Sequence, residues 1–162
     1  MENNEVVITH TLYDISGKVA LKFEAPTLRG GLQHLVLTGV DLSDIVLTDQ
    51  DLRGIILLGA KMNNCRIEDC LLDGAVMPGA CLEGAVINKC SFRGADLRGI
   101  DAPFSRWEGV NCAGADASGG DFYNSYMGDV SWRGAKLDGA SMVGVDKDDT
   151  NTSGASCFGV AA

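Results

Sequence analysis

The chain has 162 residues, a net charge of −9 and a pI of about 4.5. That length suits one domain with one core. The negative balance repels nucleic acid and anionic membranes, so a protein partner is expected and direct binding to DNA, RNA or a membrane is not.

Met1 to Glu5 is acidic and polar, unlike a secretory leader, and no apolar run is long enough to span a bilayer. A cytoplasmic location is the expectation. Residues 1–39 predict a cap. Val6 to Tyr13 and Lys18 to Glu24 read as a hairpin (6–24) around a turn at Asp14 to Gly17. Val19, Leu21 and Phe23 alternate there with Lys18, Ala20 and Lys22. Thr27 is placed to N-cap a short helix over 28–37, with Leu28, Leu32, Leu35 and Val36 on one face. Gly30 and Gly31 weaken that helix, and the five-residue spacing of Leu32 and Leu37 competes with it. The segment is expected to cover the open edge of whatever follows.

From Val40 to Gly159 a five-residue unit repeats without interruption, as in Ala80 to Gly84 (ACLEG), Ala95 to Gly99 (ADLRG) and Ala135 to Gly139 (AKLDG). The third residue is apolar in 22 of 24 units, where a 46% apolar composition gives about 11 by chance. First and third places therefore point inward. A longer period sits inside the short one. Glycine fills the fifth place in all twelve units of two columns, one running from Gly54 to Gly154 and the other from Gly59 to Gly159 in steps of 20. The other two columns begin Asp44, Asn64, Gly84, Phe104 and Asp49, Asp69, Lys89, Gly109. Four units per coil with two corner types follow: glycine corners needing φ > 0, and Asp/Asn corners that tolerate side chains and bond their own backbone. Six coils at a strand spacing of about 4.8 Å make a rod roughly 29 Å long. Within it Trp107 sits beside Ala102, Cys112 and Ala117, as a fixed-diameter interior demands. The register makes core thiols of Cys65, Cys70, Cys90, Cys112 and Cys157, with Cys81 facing outward. Towards the end Lys147 and Thr152 occupy core places, and 160–162 reads as a tail.

These tandem units resemble the pentapeptide-repeat family, over about three quarters of the chain. The resemblance implies an all-β fold, a right-handed quadrilateral parallel β-helix of about six four-sided coils over 40–159. The leader from Ser16 to Glu24, with Thr27-Leu-Arg and Thr38 to Leu42, is similar to that of bacterial and phage members. It also implies an alternative function, since some members are acidic DNA mimics that bind DNA gyrase. Those carry loops that interrupt the coil and a C-terminal dimerising helix, and neither is visible in this sequence.

No catalytic, cofactor or metal site is expected. His10 and His34 neighbour no motif, Cys81 has no basic helper, and no repeat carries a regular ligand set. Two surface features are candidates for interaction. Acidic residues crowd one face: Asp49, Glu68, Asp69, Glu108, Asp129, Asp146, Asp148 and Asp149, against Arg66, Lys89 and Arg106. Outward apolar residues gather in the first three coils: Val46, Ile56, Leu58, Leu71, Val76 and Val86. Residues 40–159 hold 18 acidic and 10 basic side chains, net −8; B-DNA of equal length carries about 17 negative charges, so a DNA mimic here is half strength. The reading is a non-enzymatic interaction or structural module, with a homodimer through the C-terminal edge as its expected assembly.

Overall fold

A computed structural model of the chain describes residues 7–161. Met1 to Glu5, Val6 at the start of the expected hairpin, and Ala162 of the expected tail lie outside the described residues.

The N-terminal segment is a hairpin of β1 (Ile8–Asp14) and β2 (Val19–Ala25) followed by α1 (Leu28–Leu37). Asp14 closes the turn by accepting from the Ser16 and Lys18 amides. The Thr27 hydroxyl caps the helix by accepting from the Gly30 amide at 3.1 Å. Gly31, a poor helix former, is required by packing: a Cβ there would run into the Phe23 ring. Leu32 is buried while Leu37 is 79% exposed, so the five-residue spacing does not extend back into this segment. β1 pairs antiparallel with the first rung of the array, Tyr13 opposite Val46 and Asp14 opposite Ile45. That contact occupies hydrogen-bonding groups which a first rung would otherwise leave open.

From there the chain is a four-sided solenoid, an all-β parallel β-helix. On its second side six short strands stack in parallel: β3 (Ile45–Thr48), β4 (Arg66–Glu68), β5 (Val86–Asn88), β6 (Arg106–Glu108), β7 (Tyr126–Gly128) and β8 (Asp146–Asp148). Each pairs with the residue 20 further on, Leu47 with Ile67 with Ile87 with Trp107. The other three sides carry single parallel bridges at the same 20-residue step, such as Lys61 to Cys81, Asp51 to Leu71 and Ile56 to Val76. Those steps follow from the repeat, because a side chain that fills the interior must recur once per side. The ladder runs to Ala161, whose amide donates to Ala140 O at 3.0 Å, so the rod extends past the expected boundary at Gly159.

Every third-place residue from Leu42 to Met142 is buried. Phe92, Trp107, Phe122 and Trp132 form a continuous aromatic stack, with neighbouring ring centroids 5.6 to 6.3 Å apart. The small residues beside them are fitted to this bulk. A Cβ on Gly120 would stand 3.1 Å from Phe122. Ser105 and Ser125, both buried, share the Ala102 carbonyl, and Ser105 accepts the Trp107 indole N–H at 2.7 Å.

The corners correct the sequence reading. Every fifth place from Asp44 to Gly159 is left-handed, with φ between 49° and 70°, whether it holds Gly, Asp, Asn, Lys or Phe. The ladder goes with this conformation: from Asp44 to Gly139 each corner amide donates to the next coil, as Asp49 N does to Glu68 O and Gly54 N to Asp73 O. The two corner types therefore differ in residue and share one conformation. Local backbone bonding belongs to second-place residues instead. Asp41, Asn111 and Asp121 accept from the amide two residues on, at 2.9 to 3.0 Å.

A second correction concerns the last coil. Lys147, Thr152 and Cys157 hold third places yet are exposed, because no further rung covers them among the described residues. Cys157 is thus a surface thiol and not a core one.

Candidate interaction faces

The solenoid turns sequence position into surface geometry. Residues 20 apart line up along the rod, and residues two apart on a strand stand side by side on one face. Two strand columns and one corner column make up the second face. The first strand column runs Val46, Arg66, Val86, Arg106, Tyr126, Asp146; the second runs Thr48, Glu68, Asn88, Glu108, Gly128, Asp148. The corner column runs Asp49, Asp69, Lys89, Gly109, Asp129, Asp149.

All eight acidic candidates lie on this face, but they are not equivalent. Glu68 is paired with Arg66 at 3.4 Å and Glu108 with Arg106 at 2.7 Å, each across one strand. Arg106 also lies over the Tyr126 ring, 4.1 Å from its centroid. Lys89 interrupts the corner column between Asp69 and Asp129. Over its first four rungs the face carries four acids, Asp49, Glu68, Asp69 and Glu108, against three bases, Arg66, Lys89 and Arg106. At Asp129, Asp146, Asp148 and Asp149 no described salt bridge compensates the acids. The Arg-x-Glu spacing that makes these pairs is plain in the sequence once the segment is known to be a strand.

The six apolar candidates are divided among three faces. Val46 and Val86 are on the second, half-buried, with Val46 paired to Tyr13 of the hairpin. Leu71 is on the third, 43% exposed. Ile56, Leu58 and Val76 are on the fourth, where Ile56 bridges Val76. Modulo five they share outward places; modulo 20 they separate.

The third face carries Arg53, Arg93 and Arg133 in one column. Arg53 forms a two-pronged pair with Asp51, and Arg29 of α1 reaches across to the Arg53 carbonyl at 2.9 Å. These bonds from Arg53 hold the Asp51 carboxyl down to about 2. Asp73 fits between successive arginines and accepts from Ser91 Oγ and the Arg93 amide.

His10 stacks on Phe23 with ring centroids 5.3 Å apart and lies 3.2 Å from Ala25 O, as part of the hairpin's packing. Cys70 and Cys90 are stacked in the wall of the rod, their thiols donating to carbonyls of Glu68 and Asn88 at 3.2 Å. Burial pushes the Cys65 thiol up to about 12, and Cys112 is raised by the same cause. Those thiols are therefore unreactive in the folded chain. Among the described residues no group of three or more His, Cys, Asp or Glu is placed to hold a metal ion, and no helix is long and apolar enough to cross a membrane. At the C-terminal mouth a cavity of ≈ 230 Å³ lies beneath Lys147, Thr152 and Cys157 and is floored by Trp132, whose indole N–H is buried without a partner.

The family model for pentapeptide repeats matches eight copies over residues 65–101. No curated protein matches the chain. Similar solved structures include Rfr23, a pentapeptide repeat protein from the cyanobacterium Cyanothece 51142, at 14% identity over 83% of this chain and 99% of that one, TM-score 0.38. QnrB1, a plasmid-mediated fluoroquinolone resistance protein, is 20% identical over 71% of this chain and 80% of its own, TM-score 0.33. A pentapeptide repeat protein from the Arabidopsis thaliana thylakoid lumen is 26% identical over 81% and 70%, TM-score 0.24. The matched copies share their buried centres and left-handed corners with the units on either side, and over residues 65–101 the chain matches the pentapeptide-repeat family.

Proposed function

We propose that the protein is a non-enzymatic interaction module, a rigid rod that offers a basic protein surface the acidic end of its second face. One observation carries this reading. The interior is filled by side chains from Leu42 to Met142, so the groups able to do chemistry stand on flat outer faces, in columns at fixed spacing. Such an array suits recognition by another surface better than enclosure of a small substrate. Asp129, Asp146, Asp148 and Asp149 are the residues proposed to meet that partner. Core thiols such as Cys65 and Cys112 suit a reducing compartment, and the cytoplasm is the location proposed.

A DNA-mimicking role at gyrase fits less well. A mimic needs a continuous run of negative charge, and the Arg66–Glu68 and Arg106–Glu108 pairs break it. Affinity capture with the wild-type chain and with a triple variant, Asp129→Lys, Asp146→Lys, Asp148→Lys, tests the proposal. A partner held by the wild type and released by the variant is the expected result. A partner retained equally by both removes the acidic end from the function. Inhibition of gyrase supercoiling by the wild type, abolished in the variant, would establish the mimic reading instead.

A further inference from the structure

The fourth face differs from the other three at its borders. It lies between the two all-glycine columns, Gly54 to Gly154 on one side and Gly59 to Gly159 on the other. The backbone does not demand glycine there, since Asp44, Asn64, Lys89 and Phe104 adopt the same left-handed conformation on the other two corners. Internal space does not demand it either: a Cβ on Gly54, Gly74, Gly94, Gly114 or Gly134, or on any of Gly59 to Gly159, would meet nothing within 4 Å. The face is therefore a flat strip with bare edges, which permits close approach of another surface.

Its side chains say which surface. The two outward columns are Ile56, Val76, Asp96, Asp116, Lys136, Ser156 and Leu58, Pro78, Arg98, Ser118, Asp138, Phe158. A two-fold axis parallel to the rod keeps each rung opposite its own copy and exchanges the two columns. Ile56 then meets Leu58, and Val76 meets Pro78. Asp96 meets Arg98, Asp116 meets Ser118, and Lys136 meets Asp138. The first two rungs are apolar against apolar. Two of the three charged rungs, Asp96 with Arg98 and Lys136 with Asp138, place acid against base from both copies at once, adding a second partner to Arg98 and Lys136, which already pair with Asp96 at 2.7 Å and Asp116 at 3.6 Å of their own chain. Like charges face each other in no rung. Ile56 and Leu58 are 47% and 62% exposed, and Phe158, at the far end, is 88% exposed. Exposed apolar groups and matched charges thus call for the same arrangement.

We propose that the fourth face is a homodimer interface in which two rods lie side by side, parallel and in register. This surface is separate from the acidic end of the second face, so the dimer stands or falls without that partner. It also leaves the open C-terminal edge free, which distinguishes it from end-to-end pairing. The strip is narrow, roughly 29 Å by 10–15 Å per copy, well short of the ~800 Å² per partner in stable complexes. The dimer is accordingly of the weak, transient class.

Sedimentation equilibrium over about 5–300 μM tests it, with charge swaps as the discriminating variants. Arg98→Asp places acid against acid in that rung of the dimer and should weaken association at least ~10-fold. The double swap Asp96→Arg, Arg98→Asp restores self-complementarity and should return the constant to within ~3-fold of wild type. Circular dichroism of both variants checks that the coil is intact. A chain monomeric at every concentration overturns the proposal. A dimer that Arg98→Asp leaves unchanged also overturns it and moves the contact to the C-terminal edge.

Discussion

The stretch around Trp107 and Trp132 and the last coil, 141–161, have the same backbone and opposite interiors. Both keep left-handed corners and a ladder at the 20-residue step. In the first, every centre is buried and the aromatic rings touch. In the last, Met142 is buried but the other three centres, Lys147, Thr152 and Cys157, are exposed, and a cavity replaces the packing. The ladder sets the path of the chain, and the filling sets how firmly it is held. A coil depends on its neighbour for both, so the last one has half the support.

The largest break in this comparison is Trp107→Ala. Ala102, Cys112 and Ala117 cannot fill the hole, so unfolding in urea should show a loss of about 3–5 kcal/mol. Wild-type tryptophan emission should be blue-shifted until the chain unfolds. A cost near that of a surface substitution would show that the ladder alone supports the rod.

Corner substitutions come next. Gly94→Val puts a β-branched residue at a φ of 62° and should cost about 2 kcal/mol. Gly94→Asn should cost under about 1 kcal/mol, because Asn64 and Asn124 already hold this conformation. Equal costs for the two would mean that the corner is limited by space and not by backbone preference.

Lys147→Met sharpens the contrast from the other side. An apolar chain over the cavity floored by Trp132 should raise stability by about 1 kcal/mol. No gain would mean that the last coil adds nothing to the cooperative unit.

Acid should have the smallest effect. Asp51 is held at about 2 by Arg53, and Asp96 is held below the usual carboxylate range by Arg98. A carboxylate depressed in the folded chain adds stability that is full above its unfolded pKa of about 3.9 and disappears as pH falls through the folded value. Tm should fall modestly between about pH 4 and 2, and less in Arg53→Ala. A Tm that rises over that window would reverse the sign assigned to these pairs.

Much of the fold is legible because the filling is periodic. Leu42 to Met142 declare the inward places, and the 20-residue glycine columns declare four sides. The corners were legible in position and misleading in kind. Glycine marks φ > 0 reliably, but its replacement by Asp, Asn or Phe104 does not mark the opposite, since the corners keep one conformation whatever residue fills them. Cys157 was misplaced for a related reason: a repeat register states where a side chain points and is silent on whether another coil covers it. The acidic residues share a face, as their spacing indicates. Their partial neutralisation by Arg66 and Arg106 depends on two residues of one strand standing on the same face, which a count of charges does not contain. The apolar set scattered because outward places recur every five residues, whereas a given face recurs only every 20, so only Val46 with Val86 and Ile56 with Leu58 and Val76 share a face.

That difference between two periods has a consequence for how such a chain changes over generations. An insertion or loss of five residues preserves the interior and the hydrogen-bonded path, so the altered chain still folds. Yet it rotates every later side chain by a quarter turn, and Asp96 and Arg98 would exchange sides with residues meant for another surface. Gaining or losing 20 residues lengthens or shortens the rod and leaves each face's lettering intact. Duplication in whole coils is therefore the quiet route for this lineage, and a single-unit slip is a way to acquire new surfaces at one stroke on an unchanged scaffold.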